Sequence, residues 1–306
     1  MVGSLILVAI LTIVLRCKSK PSAMNLWKKS TSGKDHTSIH LDSNMLKGVT
    51  RYNRQELEVA CEDFSNIIGS SSDSLVYKGN MKGGPEIAVI SLCIKEEHWT
   101  GYLELYYQKE VADLARLNHE NTGKLLGYCV DNTPFTRMLV FEYASNGTLR
   151  RRVQPKLVAR MKIVIGIAKG LRYLHNEIEP PFTISELNSS AVYLTEDFSP
   201  KLVDFESWKT IVTRSESNSR SISNEGDICG NIYAFGVLLL EIVSGRPSFC
   251  KDKGCVVDWA KIILKKQEEM GSIVDPSLKY FKDEDLKAIC EVVSIAFIYG
   301  REIRYQ

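Results

Sequence analysis

Between Arg160 and His175 the chain reads RMKIVIGIAKGLRYLH, in which Met161, Val164, Ile165, Ala168, Leu171 and Leu174 recur at spacings of three and four. That period puts them on one face and predicts a core-facing α-helix. Directly behind it comes PPFTISELNSSAVYLTEDFSPKLVDFESWK, so any fold for this chain must bury the helix and seat this loop. The 306 residues allow one medium-sized domain with appendages, and a 44% hydrophobic content is ample for its core.

Other classes drop away on charge and cysteine usage. A formal net charge of +2, with acids and bases mixed along most of the chain, gives no nucleic-acid footprint. The cysteines at 17, 61, 93, 129, 229, 250, 255 and 290 form no CxxC and have no histidine at metal-ligand spacing, as expected of reduced core thiols in a cytosolic domain.

The N-terminus begins VGSLILVAILTIVL, fourteen uncharged residues followed by RCKSK. As a helix this run spans about 21 Å at ~1.5 Å per residue, short of a ~30 Å hydrocarbon core. It lacks the preceding basic residue and the small-residue cleavage site of a secretory signal. With the basic residues after it, the positive-inside rule places the remainder in the cytoplasm. The run reads as a partial transmembrane helix over residues 1–16, with a signal peptide or an inaccurate chain start as alternatives. Residues 17–50 are polar and aperiodic, a flexible juxtamembrane linker.

Four stretches, GKLLGYC at 123–129, GIAKGLRYLH, the loop after it and FGVLLLEIVSGR at 235–246, resemble the catalytic domain of plant receptor-like kinases of the leucine-rich-repeat class. The resemblance covers about Arg51 to Ile298. It implies an α+β, bilobal protein-kinase-like fold over 51–306: an N-lobe at 51–143, with a small antiparallel sheet and one helix, and a larger, mainly helical C-lobe at 144–306. RYNRQELEVACEDFSNIIG matches the family's lead-in, with a short helix carrying Leu57 and Ala60 before a first strand at Phe64 to Ile68.

Read slot by slot, the resemblance implies a scaffold whose chemistry has been replaced. In IIGSSSDSLVYKG the family has glycines, whose backbone amides close on phosphates. Only Gly69 remains; Ser71 and Ser74 fill the other glycine slots and Asp73 adds a negative charge. Like charges ~4 Å apart repel by ~1 kcal/mol in water and ~4 kcal/mol at an effective dielectric of 20. The lysine ending V-A-I-K is Ile90, while its helix partner remains as Glu110. Against H-R-D-L-x-x-x-N, Ile184 replaces the histidine, Ser185 the arginine, Glu186 the aspartate and Ala191 the metal-binding asparagine. Asp204 matches the metal-binding aspartate of D-F-G, weakly supported because Glu206 replaces the glycine. Asn231 replaces an aspartate that ties the loop to the large-lobe helix.

Gly69, Val76, Ala88, Glu110, Phe141 as gatekeeper, Glu142 to Ala144 as hinge, and Tyr193 as floor would outline a vestigial nucleotide pocket. The resemblance therefore implies a pseudokinase without catalytic residues. It would require no cofactor, with binding of ATP and Mg²⁺ in doubt. Its expected place is the plasma membrane of a plant cell, as a single-pass protein with the kinase-like domain cytoplasmic. Its expected role is signal transduction, as a binding or allosteric scaffold for an active receptor kinase or co-receptor. Two alternatives stand beside this: an atypical ATP-binding Ser/Thr kinase using Lys78 and Glu186, and a truncated, poorly folding product of a receptor-kinase gene, since the chain ends where family members continue with a further helix.

Overall fold

The computed structural model describes residues 46, 48–71, 73–151, 156–203, 224–252, 254–265, 271–278 and 283–302. They divide into two compact units: one of residues up to Asn118 together with Lys124–Tyr143, the other of His119–Gly123 and residues from Ala144 onward.

The first unit is a sheet with two flanking helices. Its strands are β1 (Thr50–Tyr52), β2 (Ile67–Ser70), β3 (Ser74–Asn80), β4 (Glu86–Leu92), β5 (Leu125–Asn132) and β6 (Phe135–Glu142), in the order β1-β5-β6-β4-β3-β2. All neighbours are antiparallel except β1 and β5, which run parallel. Period-two alternation sends Ile87 and Val89 to one face, where they join Tyr77, Cys129, Met138 and Val140 in a core cluster. Helix α1 (Arg54–Ala60) closes that cluster with Leu57, Cys61 adding its thiol just beyond. The helix starts at Asn53 through a capping box: the Asn53 side chain accepts from Glu56 N–H and the Glu56 carboxylate accepts from Asn53 N–H. Burial pushes the Cys61 thiol up to about 11 and, as the largest influence, the Cys129 thiol up to about 12, so both stay protonated.

The expected first strand began too early. Glu62, Asp63 and Phe64 all take left-handed backbone, φ 52°, 56° and 57°, which no strand accommodates. The turn brings the Phe64 ring to 4.9 Å from Tyr77 and under the Arg54 guanidinium, and the strand starts at Ile67. The strand β1 was not foreseen. It reaches β5 because Gly127 has no side chain: a Cβ there would overlap the Tyr52 ring and the Thr50 carbonyl. Arg51 adds a bond to the Val130 carbonyl at 2.9 Å, and Asp131 accepts from Arg54 N–H at 2.7 Å.

Helix α2 (Gly101–Ala115) lies in the same unit, capped by Thr100, with Leu103, Tyr107, Glu110, Val111 and Leu114 buried.

The second unit is mainly helical: α3 (Leu157–Arg172), a π-helical turn at Tyr173–Glu177, α4 (Asn224–Ser244), α5 (Val256–Leu264) and α6 (Asp283–Glu302), with small β7 (Val192–Leu194) and β8 (Pro200–Leu202) paired antiparallel. The periodic stretch at Arg160 is α3, and Ile163, Val164, Ile167, Ala168 and Leu171 are buried. Helix α4 begins at Asn224, earlier than the Ile232 to Val243 span suggested by its apolar run, and Gly236 lets α6 approach so closely that a Cβ would overlap Ala296. A buried ion pair ties α3 to the segment before α6: Arg160 donates to Asp275 at 2.7 Å and to the Ile242 carbonyl at 3.0 Å, while Asp275 N–H donates to the Val243 carbonyl. Among the described residues no helix is long and apolar enough to cross a membrane, and the apolar segment at 1–16 lies outside them.

Candidate functional site

The turn between β2 and β3 is stapled by its own serines. The Ser71 hydroxyl accepts from the Asp73 amide at 3.3 Å and the Ser74 amide at 3.1 Å, and lies 2.9 Å from the Ser74 hydroxyl. Ser71 N–H in turn donates to the Ser74 carbonyl at 2.8 Å, and Cys93 N–H to the Asp73 carbonyl at 2.8 Å. Two amides of this turn thus point at a side-chain oxygen. Gly69 is opposite Val76 at the foot of the hairpin.

Strand register places one set of candidates on a common sheet face. Val76 is opposite Ile90 and Lys78 opposite Ala88, while Ala88 faces Phe141 and Ile90 faces Leu139 across to β6. Ala88, Ile90, Leu139 and Phe141 are all buried, Ile90 at 1% exposure. Where the resembling kinases carry a lysine, this face presents a branched hydrocarbon. Lys78 is two residues along β3, held by Glu86 at 2.5 Å and by the Tyr143 ring at 4.4 Å. The Glu86 hydrogen bond raises its pKa, so the charge is committed at the Glu86 end of the sheet. Glu110 is buried on α2, where Oε2 accepts from the Tyr106 hydroxyl at 3.4 Å. Glu142 ends β6, exposed, its N–H 3.4 Å from the Lys124 carbonyl.

In the second unit the loop from Ile184 to Ala191 is seated from beneath. Ile184 is 2% exposed; its N–H donates to Asn231 Oδ1 at 2.9 Å and its carbonyl accepts from Asn231 Nδ2 at 2.6 Å. Asn231 Oδ1 also lies 3.2 Å from His175 Nε2. Leu187 and Ala191 are buried too, and Ala191 N–H donates to the Asn188 carbonyl while its own carbonyl accepts from Val203 N–H. Ser185 and Glu186 point outward, exposed. Tyr193 is half-buried on β7 opposite Lys201, and Ala144 is buried with its carbonyl accepting from Gly147 N–H. Asp204, Glu206 and the serine-rich stretch after them lie outside the described residues. Among the described residues no group of three or more His, Cys, Asp or Glu is placed to hold a metal ion.

Glu104, Arg137 and Trp99 form a charged and aromatic cluster in the first unit that no sequence motif marks. A strand arginine ordinarily keeps its charge in water, and only its 5% exposure marks Arg137 as internal.

A sheet unit carrying one long helix, a mainly helical unit, and within the latter a loop tied by a polar side chain to the helix beneath it are the parts of a protein-kinase domain. The chain belongs to the protein tyrosine and serine/threonine kinase family, whose match covers residues 63–223. A probable LRR receptor-like serine/threonine-protein kinase of Arabidopsis thaliana is 63% identical over 96% of this chain and 47% of its own length. A probable inactive receptor-like protein kinase of the same plant is 35% identical over 95% of this chain and 59% of its own. Among solved structures, the pseudokinase drought responsive inactive kinase 1, bound to ENMD-2076, matches with a TM-score of 0.69 at 34% identity, covering 86% of this chain and 99% of that one. The chain spans about half the length of the curated relatives it matches.

Proposed function

We propose that this chain is a receptor-like pseudokinase that acts in signalling as a binding or allosteric scaffold and performs no phosphoryl transfer. The observation that carries the reading is Ile90, at 1% exposure on an apolar sheet face, with the nearby cation Lys78 bound to Glu86 instead. Phosphoryl transfer relies on positioned cations and metal ligands. A lysine slot without nitrogen, an arginine slot holding exposed Ser185 and an asparagine slot holding buried Ala191 supply neither.

The residues present do not fit Mg²⁺-ATP. A phosphate entering the β2–β3 turn would have to break the bonds from the Asp73 and Ser74 amides to Ser71, each worth about 0.5–1.5 kcal/mol, beside the Asp73 charge. Relatives named inactive support the absence of phosphoryl transfer.

The apolar segment at 1–16 followed by basic residues supports a membrane tether, with the kinase-like domain on the cytoplasmic side and an active receptor kinase or co-receptor as partner. The competing reading, an atypical Ser/Thr kinase, draws on the name of the 63% identical relative and on the exposed carboxylate of Glu186. One assay separates the two: the purified chain and an Asp204→Ala variant are incubated with radiolabelled ATP, Mg²⁺ and a generic protein substrate. Equal background in both is expected; incorporation by the parent that the variant lacks would overturn the proposal.

A further inference from the structure

In kinases that this chain resembles, a strand lysine and a helix glutamate position the helix together with the phosphates. Ile90 removes that pair here, yet α2 is fastened at its other end. Glu104 Oε2, on the first turn of α2, accepts from Arg137 Nε at 3.0 Å and Nη2 at 2.9 Å, and from Trp99 Nε1 at 2.8 Å. Its second oxygen accepts from Gln108 Nε2 at 2.9 Å.

Arg137 is anchored in the β5–β6 hairpin. Its Nη1 donates to the Asp131 and Thr136 carbonyls, both at 2.9 Å, and its guanidinium lies 4.4 Å from the Phe135 ring centre and 5.5 Å from that of Trp99. One turn along α2, the Tyr107 hydroxyl sits 2.7 Å from the Met138 carbonyl on the same hairpin. Burial pushes the Glu104 carboxyl up, but hydrogen bonds from Gln108, Trp99 and Arg137 outweigh it and hold it below its usual range.

We infer that Glu104 and Arg137 form a surrogate lock that fixes α2 on the β5–β6 hairpin without nucleotide. An arginine at 5% exposure that lost its carboxylate would be a buried charge without its counter-ion, so the locked arrangement is strongly favoured over a swung-out helix. Two guanidinium N–H groups converging on one carboxylate oxygen set orientation as well as distance. Every partner belongs to one compact unit and none is a residue of the phosphate or lysine slots, so the helix position is constant where an active kinase makes it conditional. The inference rests on the reading of Ile90 as the vacated lysine slot.

The test is hydrogen exchange by mass spectrometry on the detergent-solubilised full chain, with and without Mg²⁺-ATP, following peptides across Gly101–Ala115. The parent is compared with Arg137→Met and with Glu104→Gln, which keeps a single amide oxygen, enough to accept from one of Trp99 and Gln108, and drops the charge. Exchange in the first two turns of α2 is expected to rise about tenfold or more in both variants, with α3 unchanged and Mg²⁺-ATP without effect. If Arg137→Met loosens α3 as well, Glu104→Gln alone decides. Unchanged α2 exchange in Glu104→Gln would overturn the lock and leave the reading of Ile90 standing. Protection of parental α2 by Mg²⁺-ATP would overturn that reading, and with it the independence from nucleotide.

Discussion

Asn231 and Ile184 hold one another by two reciprocal hydrogen bonds, main-chain N–H to side-chain oxygen at 2.9 Å and side-chain N–H to main-chain carbonyl at 2.6 Å. An aspartate, the residue that the resemblance implies for that position, makes the first bond and cannot make the second. The substitution therefore keeps the loop seated while dispensing with a buried charge. Asn231→Ala leaves two buried main-chain groups unpaired, each worth about 1–3 kcal/mol, and should lower stability by roughly 2–6 kcal/mol in urea denaturation. Asn231→Asp should also destabilise, because it turns a lone pair toward the Ile184 carbonyl. Parental stability in Asn231→Ala would show that the tie does not hold the loop.

His175 gives the folded state an acid sensitivity. Burial lowers its pKa from 6.5 to about 4, against a smaller upward pull from the Asn231 hydrogen bond. With the folded value depressed, the unfolded chain binds a proton at this site between those two pH values that the folded chain refuses. The contribution is complete above pH 6.5 and is lost as pH falls toward 4, at a rate of no more than ~1.4 kcal/mol per pH unit. Urea midpoints measured from pH 7 down to pH 5 should fall more steeply for the parent than for His175→Phe. Parallel slopes would contradict the assignment.

Gly127 is the notch that admits β1. In Gly127→Val the side chain would displace Tyr52 and Thr50, and the lead-in should detach from the sheet edge while α1 keeps its place through Leu57. Brief trypsin digestion should then cut after Arg51 much sooner than in the parent. An unaltered cleavage pattern would mean that β1 stays docked by other contacts.

Arg160 and Asp275 join α3 to the segment before α6 through a pair in which Arg160 is 2% exposed. Removing one partner of a buried pair costs about 3–5 kcal/mol, since the other is left charged and alone. Arg160→Ala should lower the unfolding free energy by that order, and a loss below ~1 kcal/mol would show the pair to be dispensable.

Local periodicity made the helices legible. The spacing of Val164, Ala168 and Leu171 marked α3, and Tyr107, Val111 and Leu114 marked the buried stripe of α2, because burial in a helix repeats within a few residues. What stayed hidden depends on partners far apart in sequence. A three-residue strand such as β1 has no period of its own, and its reason for existing, Gly127, stands 77 residues beyond Thr50. Arg137 and Glu104 are 33 residues apart, and neither charge signals from its neighbours that it is internal. The slot residues could be located by resemblance, but the serine staple could not, since it depends on where the Ser71 hydroxyl turns.

The central claim, a kinase scaffold that holds no nucleotide, is tested most directly by a thermal-shift titration of the full chain with ATP, in the presence and absence of Mg²⁺. A ligand at 100 times its Kd stabilises a fold by about 2.7 kcal/mol, readily visible as a higher Tm. A cooperative melt whose midpoint does not move under either condition is the expected result. A Mg²⁺-dependent rise in midpoint would contradict it and return Lys78, Glu186 and Asp204 to consideration as working residues.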